Sequence, residues 1–239
     1  MALRDLSLKR EYRSDKDDLL AEFFVPCLTN CIQYDRAIEF ISIKSLSTLA
    51  FGLDNITERH AKIRLISGHR FGSSDLDMLK KIYQNGHTHR FNGNMIRDTK
   101  ISHVQKMIKD FKLEIKIAIP NSEMVDGSFE ERIGIFRDEN DDVVAFTGTS
   151  NVTFDAQNRN FESIDVFTSW DDKMRTDTKI ENFEKLWNNE THYVEMYDLM
   201  FAEKNNLLKY TTEWAVDKYK LEIKVIHIYF FNILLKLDS

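Results

Sequence analysis

Apolar positions recur with two periods along this chain, about 3.6 residues in some stretches and 2 in others, and the stretches alternate. Leu19, Leu20, Phe23, Phe24, Cys27 and Leu28 line one face of a helix predicted over 15–31, with Ser14 and Asp17 as a capping box and Pro26 as a kink. A buried strand is predicted over 37–42, a short helix over 44–53 ending near Gly52, and a second strand over 62–67. Ser74 and Asp77 open another helix carrying Leu76, Leu79 and Ile82, and a polar loop follows over 86–94. From Asp98 onward, Ile101, Val104, Met107, Ile108 and Phe111 form an apolar helix face whose reverse carries Lys100, Lys106, Lys109 and Lys112. Leu113, Ile115, Ile117 and Ile119 then alternate with Glu114, Lys116 and Ala118, a half-buried strand that Pro120 stops.

Residues 129–170 read as a site rather than as scaffold. Two short strands rich in β-branched and aromatic residues flank an Asp- and Asn-rich turn at 138–142, which predicts a hairpin. The second strand runs into Gly148-Thr149-Ser150-Asn151. A glycine there lets backbone approach a ligand closely, and the hydroxyl and amide beside it can donate to phosphate oxygens, so the turn suits a phosphate seat. A strand over 161–170 and a helix carrying Ile180, Phe183, Leu186 and Trp187 complete the pattern. Strands alternating with helices imply an α/β fold with a mixed sheet.

Phe129-Glu130-Glu131-Arg132-Ile133-Gly134-Ile135-Phe136, then Gly148-Thr149-Ser150-Asn151, then Asn160-Phe161-Glu162-Ser163-Ile164-Asp165-Val166-Phe167 resembles the phospholipase D superfamily. The motif of that superfamily is His-x-Lys on one strand, Gly-Ser-x-Asn after the next, and a downstream Glu. The chain looks most like the phospholipase D-like domain N-terminal to bacterial superfamily 2 helicases, where Phe-His-Glu-Lys-Ile-Gly-Ile-Phe is typical. The likeness takes in Glu181-Asn182-Phe183-Glu184-Lys185-Leu186-Trp187 and extends in outline over 1–210. It implies a phospholipase D-like mixed sheet flanked by helices on both faces, formed by residues 1–212, with a divergent apolar tail over 213–239. It also implies a nucleic-acid module with DNA favoured, set in a restriction or phage-defence system and assembled as a homodimer without cofactor or metal. The motif positions are Glu130, Arg132, Asn151 and Glu162, and the substrate-binding positions are Arg132, Gly148, Thr149 and Asn151.

Departures from the motif bear on chemistry. The family's nucleophilic His is replaced by Glu130 and its Lys by Arg132. A carboxylate is repelled by the phosphodiester it would attack, and with a reference pKa of about 4.3 it is a poor acid at neutral pH. Arg132 keeps the positive charge and adds a bidentate fork. The sequence therefore predicts phosphate binding with weak or absent hydrolysis. His60-Ala61-Lys62 also spells His-x-Lys, but 7 His and 33 Lys plus Arg yield roughly one such triplet by chance. His87 and His89 have strand spacing for a metal without an evident acidic or thiol partner, and Glu162 with Asp165 could serve either acid/base work or an ion pair.

Composition narrows the remainder. At 28.2 kDa with 42% hydrophobic residues and only 2 Pro, the chain is expected to fold as one compact domain of two layers. The charged N-terminus excludes a secretory signal core, so a cytoplasmic location is expected, and Cys27 and Cys31 are expected to be buried, reduced thiols. Net charge is −6, yet residues 60–116 hold 12 Lys and Arg against 5 Asp and Glu. That segment reads either as a localised polyanion surface or as lysine-solvated helix faces. No Gly-x-x-x-x-Gly-Lys-[Ser/Thr] occurs, so the helicase half of the relatives is missing. An alternative function is a docking subunit for a separately encoded helicase. The apolar 221–237 stretch is interrupted by Lys224, His227, Asn232 and Lys236 and does not predict a membrane span. It reads as core, as a docking surface, or as the altered end of a truncated reading frame.

Overall fold

A computed structural model describes residues 1–41, 61–72, 75–77, 79–80, 99–110, 112–121, 127–148 and 161–210. The helix predicted over 44–53, the loop at 86–94 and the tail at 213–239 lie outside these residues, as do His60, His87 and His89.

Eight strands form one mixed sheet. β1 (Glu11–Arg13), β2 (Gln33–Ile38), β3 (Lys62–Gly68), β5 (Leu113–Pro120), β6 (Ile133–Arg137), β7 (Val143–Gly148), β8 (Ser163–Thr168) and β9 (Val194–Asp198) lie in the order β1-β8-β7-β6-β2-β3-β5-β9. β2, β3 and β5 are parallel, and every other neighbouring pair is antiparallel. β4 (Arg70–Phe71) and β10 (Lys209–Tyr210) make a separate parallel pair. Alternation along each strand sends one set of side chains to each face. Tyr34, Leu65, Ile115, Phe136, Phe146 and Ile164 face a core shared with the N-terminal segment, α1 (Val25–Asn30), α2 (Thr99–Lys109) and α4 (Leu199–Lys204). Ala37, Ile66, Ile133, Ile135 and Ala145 face α3 (Lys173–Trp187) through Phe183, Leu186 and Trp187. The expected α/β sheet flanked by helices is met, and the three layers correct the two inferred from size.

The hairpin is formed as the turn chemistry predicts. Asp138 accepts from the Asn140 and Asp142 backbone N–H groups through one carboxylate oxygen, and from Leu3 N–H through the other. Asp141 takes the positive φ the turn needs. The helix at Thr99–Lys109 buries Val104 and Met107 and exposes Lys106 and Lys109, as its pattern requires. Several cations of the basic segment are committed to neighbours: Lys62 to Glu114, Arg64 to Asp35, and Lys80 to Glu203.

Two expectations are corrected. The first helix begins not near Asp15 but with a π-helical turn at Leu20–Phe24 that continues into α1, and Pro26 stands just after the junction of the two. Ser14 does not cap it. Its Oγ accepts from Glu162 N–H while its own N–H donates to the Glu162 carbonyl, so the segment was recruited to hold a distant strand. The strand predicted over 37–42 lies at Gln33–Ile38, because Asp35 and Arg36, charged residues that read as loop, are buried in the sheet. Cys27 and Cys31 are buried and unlinked; burial pushes the Cys27 thiol well up and the Cys31 thiol to about 12, so neither is a nucleophile at neutral pH.

Candidate functional site

Strand direction gathers the motif at one end of the sheet. That end carries the carboxyl termini of β2, β3, β5 and β7 and the starts of β6 and β8. Between β2 and β6 the pairing changes from parallel to antiparallel. Continuing the Ile133↔Thr147 register by one residue sets Arg132 opposite Gly148, and Gly148 is itself opposite Ile164. Glu162 lies two residues ahead of Ile164, on the same face by alternation.

Each position is held by an identifiable packing device. Gly148 has φ +146, and a Cβ there would come within 2.1 Å of the Ser163 carbonyl oxygen, so only glycine lets β7 close on β8 at this point. Glu162 is half-buried and clamped through its backbone by Ser14 at 2.9 Å in both directions. Glu130 is exposed and accepts from Ser128 Oγ at 2.6 Å. Arg132 is half-buried; its Nη2 meets Glu39 Oε2 at 2.6 Å, while its Nε is buried without a hydrogen-bond partner among the described residues. Thr149 and Asn151 lie outside the described residues.

Two functional candidates escaped sequence reading. Arg36, opposite Gly134, is fully buried with its guanidinium 4.7 Å from the centre of the Phe146 ring. Burial pulls its pKa below the ordinary value, the Tyr34 and Glu162 anionic forms pull it back up, and Arg132 pushes it down. An arginine stays charged regardless, so Arg36 adds a second cation that senses both Arg132 and Glu162. Glu39 follows β2 and reaches Arg132 across 93 residues of sequence. Its carbonyl packs so tightly on β3 that a Cβ at Gly68 would stand 2.4 Å away. A charged residue inside a buried strand is the signal that could have found Arg36; nothing in the local pattern marks Glu39.

Other candidates separate from this cluster. Asp165 is exposed on the opposite face from Glu162, since the two are an odd number of residues apart on one strand, which rules out the acid/base pair. His69 is buried, and burial, with Lys209 and Arg70 nearby, lowers its pKa to about 4 while the ring donates to the Ala118 carbonyl; it is a neutral core imidazole at pH 7. No group of three or more His, Cys, Asp or Glu suited to a metal ion occurs among the described residues. No helix among them is long and apolar enough to cross a membrane. A groove beside Asn30, Asp138 and Glu139 lies at the other end of the sheet, away from this cluster.

No protein-family model and no curated protein matches the chain. Solved structures similar to it include TrmBL2, an archaeal chromatin protein showing a novel mode of DNA binding, at 15% identity and TM-score 0.42 over 77% of this chain and 54% of that one. Phosphatidylserine synthase of Haemophilus influenzae Rd KW20 is 10% identical with TM-score 0.44 over 91% and 45%. Yeast tyrosyl-DNA phosphodiesterase is 12% identical with TM-score 0.32 over 58% and 26%. The chain thus spans about half or less of each neighbour.

Proposed function

We propose that this chain is a phospholipase D-like nucleic-acid-binding module, a phosphodiesterase-type site that seats a backbone phosphate and hydrolyses it weakly or not at all. The observation that supports it is the convergence of Arg132, Gly148 and Glu162 on one sheet face at one end, with Arg36 beneath. Arg132 supplies the cation for the non-bridging oxygens, Gly148 the close backbone approach, and Thr149 and Asn151, by their place in the motif, the further donors. Glu162 neutralises and orients the arginines. Glu130 stands where an attacking imidazole would be needed, and an exposed carboxylate does not replace it. DNA is the favoured ligand. The same reading sets the module in a restriction or phage-defence system and assembles it as a homodimer, with a docking subunit for a separately encoded helicase as the alternative.

Binding of a short duplex oligonucleotide, followed by fluorescence anisotropy across a salt titration, tests this reading. Phosphate contacts release counterions, so affinity is expected to fall by roughly tenfold or more between about 50 and 200 mM salt. Salt-independent binding, or none at low salt, contradicts it.

A further inference from the structure

Two arginines of this sheet meet carboxylates in different ways. Arg64 engages Asp35 side-on, Nε to Oδ1 and Nη2 to Oδ2, both at 2.7 Å, and its Nη atoms also hold Glu184 at 3.1 and 2.6 Å. Both edges of that guanidinium are occupied, as expected of a permanent structural pair. At Arg132 a single Glu39 oxygen is met, by Nη2, and the neighbouring Nε is buried without a partner among the described residues. A buried donor without a partner is costly. The half-filled edge matches an anion that offers two oxygens at once, as a phosphodiester does.

Glu39 is placed to yield. It and Arg132 expose 26% and 27% of their side chains, and a pair so close to solvent is weak, whereas the Arg64–Asp35 pair is shielded, at 11% and 6%. Its backbone is fixed against Gly68, so what can leave the guanidinium is the carboxylate and not the strand. With no ligand present, Glu39 offsets a site that already brings Arg132 near Arg36.

We propose that Glu39 is a built-in counter-anion: it occupies the Nη2 half of the Arg132 edge until a phosphodiester displaces it and fills both Nε and Nη2. This rests on the reading of Arg132 as the phosphate seat. Glu39 would then set the affinity of the seat, holding off carboxylates and lone chloride, which gain too little to displace it, and admitting a two-oxygen phosphate on a polyanion whose other contacts contribute.

The test is a double-mutant cycle in the full chain, with a short duplex oligonucleotide at low salt as the probe. Glu39→Gln is expected to tighten binding by about two- to five-fold, the range of a partly exposed ion pair, and Glu39→Asp to give a smaller gain. In an Arg132→Ala background, Glu39→Gln should give no gain, because the competing carboxylate no longer has a seat to block. An equal gain in both backgrounds means that Glu39 acts only through net charge and overturns the inference while leaving the phosphate seat intact. Weaker binding in Glu39→Gln means that Glu39 positions Arg132 instead, and also overturns it. If native protein and Arg132→Ala bind alike, or nothing binds at low salt, the reading of the seat itself fails.

Discussion

Arg64→Met is expected to destabilise the fold by about 3–5 kcal/mol, the cost of leaving a buried carboxylate without its cation. Arg64 joins two layers: from β3 it holds Asp35 of β2 and Glu184 of α3, and its guanidinium lies 5.1 Å and 5.3 Å from the Phe183 and Trp187 rings. Burial alone would lower its pKa, but the bonds it donates to Asp35 and Glu184, with their charges, outweigh that and raise it. Methionine keeps the aliphatic stem against the rings but abandons Asp35, which then retains the Gln33 side-chain amide as a donor. Glu184 is more exposed and can turn to water, so most of the loss falls on Asp35. Urea unfolding should show the shift, and Arg64→Met combined with Asp35→Leu should recover much of it. A loss below about 1 kcal/mol in the single variant would mean the network is solvated in practice.

Native protein is expected to show no rapid cleavage of DNA or a model diester in the presence of chelator, and Glu130→His with Arg132→Lys is expected to raise cleavage well above it. Removing an attacking group can cost on the order of a millionfold, while the electrostatic seat survives and continues to bind. The side chain at position 130 is exposed two residues ahead of Arg132, so an imidazole can replace the carboxylate there without displacing core. Steady-state cleavage by native, Glu130→Ala and doubly substituted protein distinguishes the cases. Rapid cleavage by the native chain that Glu130→Ala abolishes would make Glu130 catalytic.

The sequence was readable where one local rule decides the outcome. Alternation placed Leu113–Pro120, Asp and Asn marked the turn after Arg137, and the apolar face of Lys173–Trp187 gave a helix. It was unreadable where tertiary partners override local preference. Asp35 and Arg36 sit in a central strand because Arg64 and the Phe146 ring receive them, and those partners come from other strands. Ser14 looked like a cap and instead clamps Glu162, 148 residues away. β1 and β9 close the two edges with short or irregular patterns that carry no period of their own. In the site, the motif pointed to Arg132, Gly148 and Glu162, but the countercharge at Glu39 and the second cation at Arg36 depend on which strands become neighbours. No spacing along the chain encodes that.

The central claim is that Arg132 seats a backbone phosphate, and the dependence of affinity on salt measures it most directly. For Arg132→Ala, log affinity plotted against log salt concentration should lose about 0.9 from its slope, the share of one phosphate contact, with binding weakened at low salt. Arg175→Ala, which removes an exposed arginine lying over Phe167, should leave the slope unchanged. Equal slopes for native protein and Arg132→Ala would contradict the account.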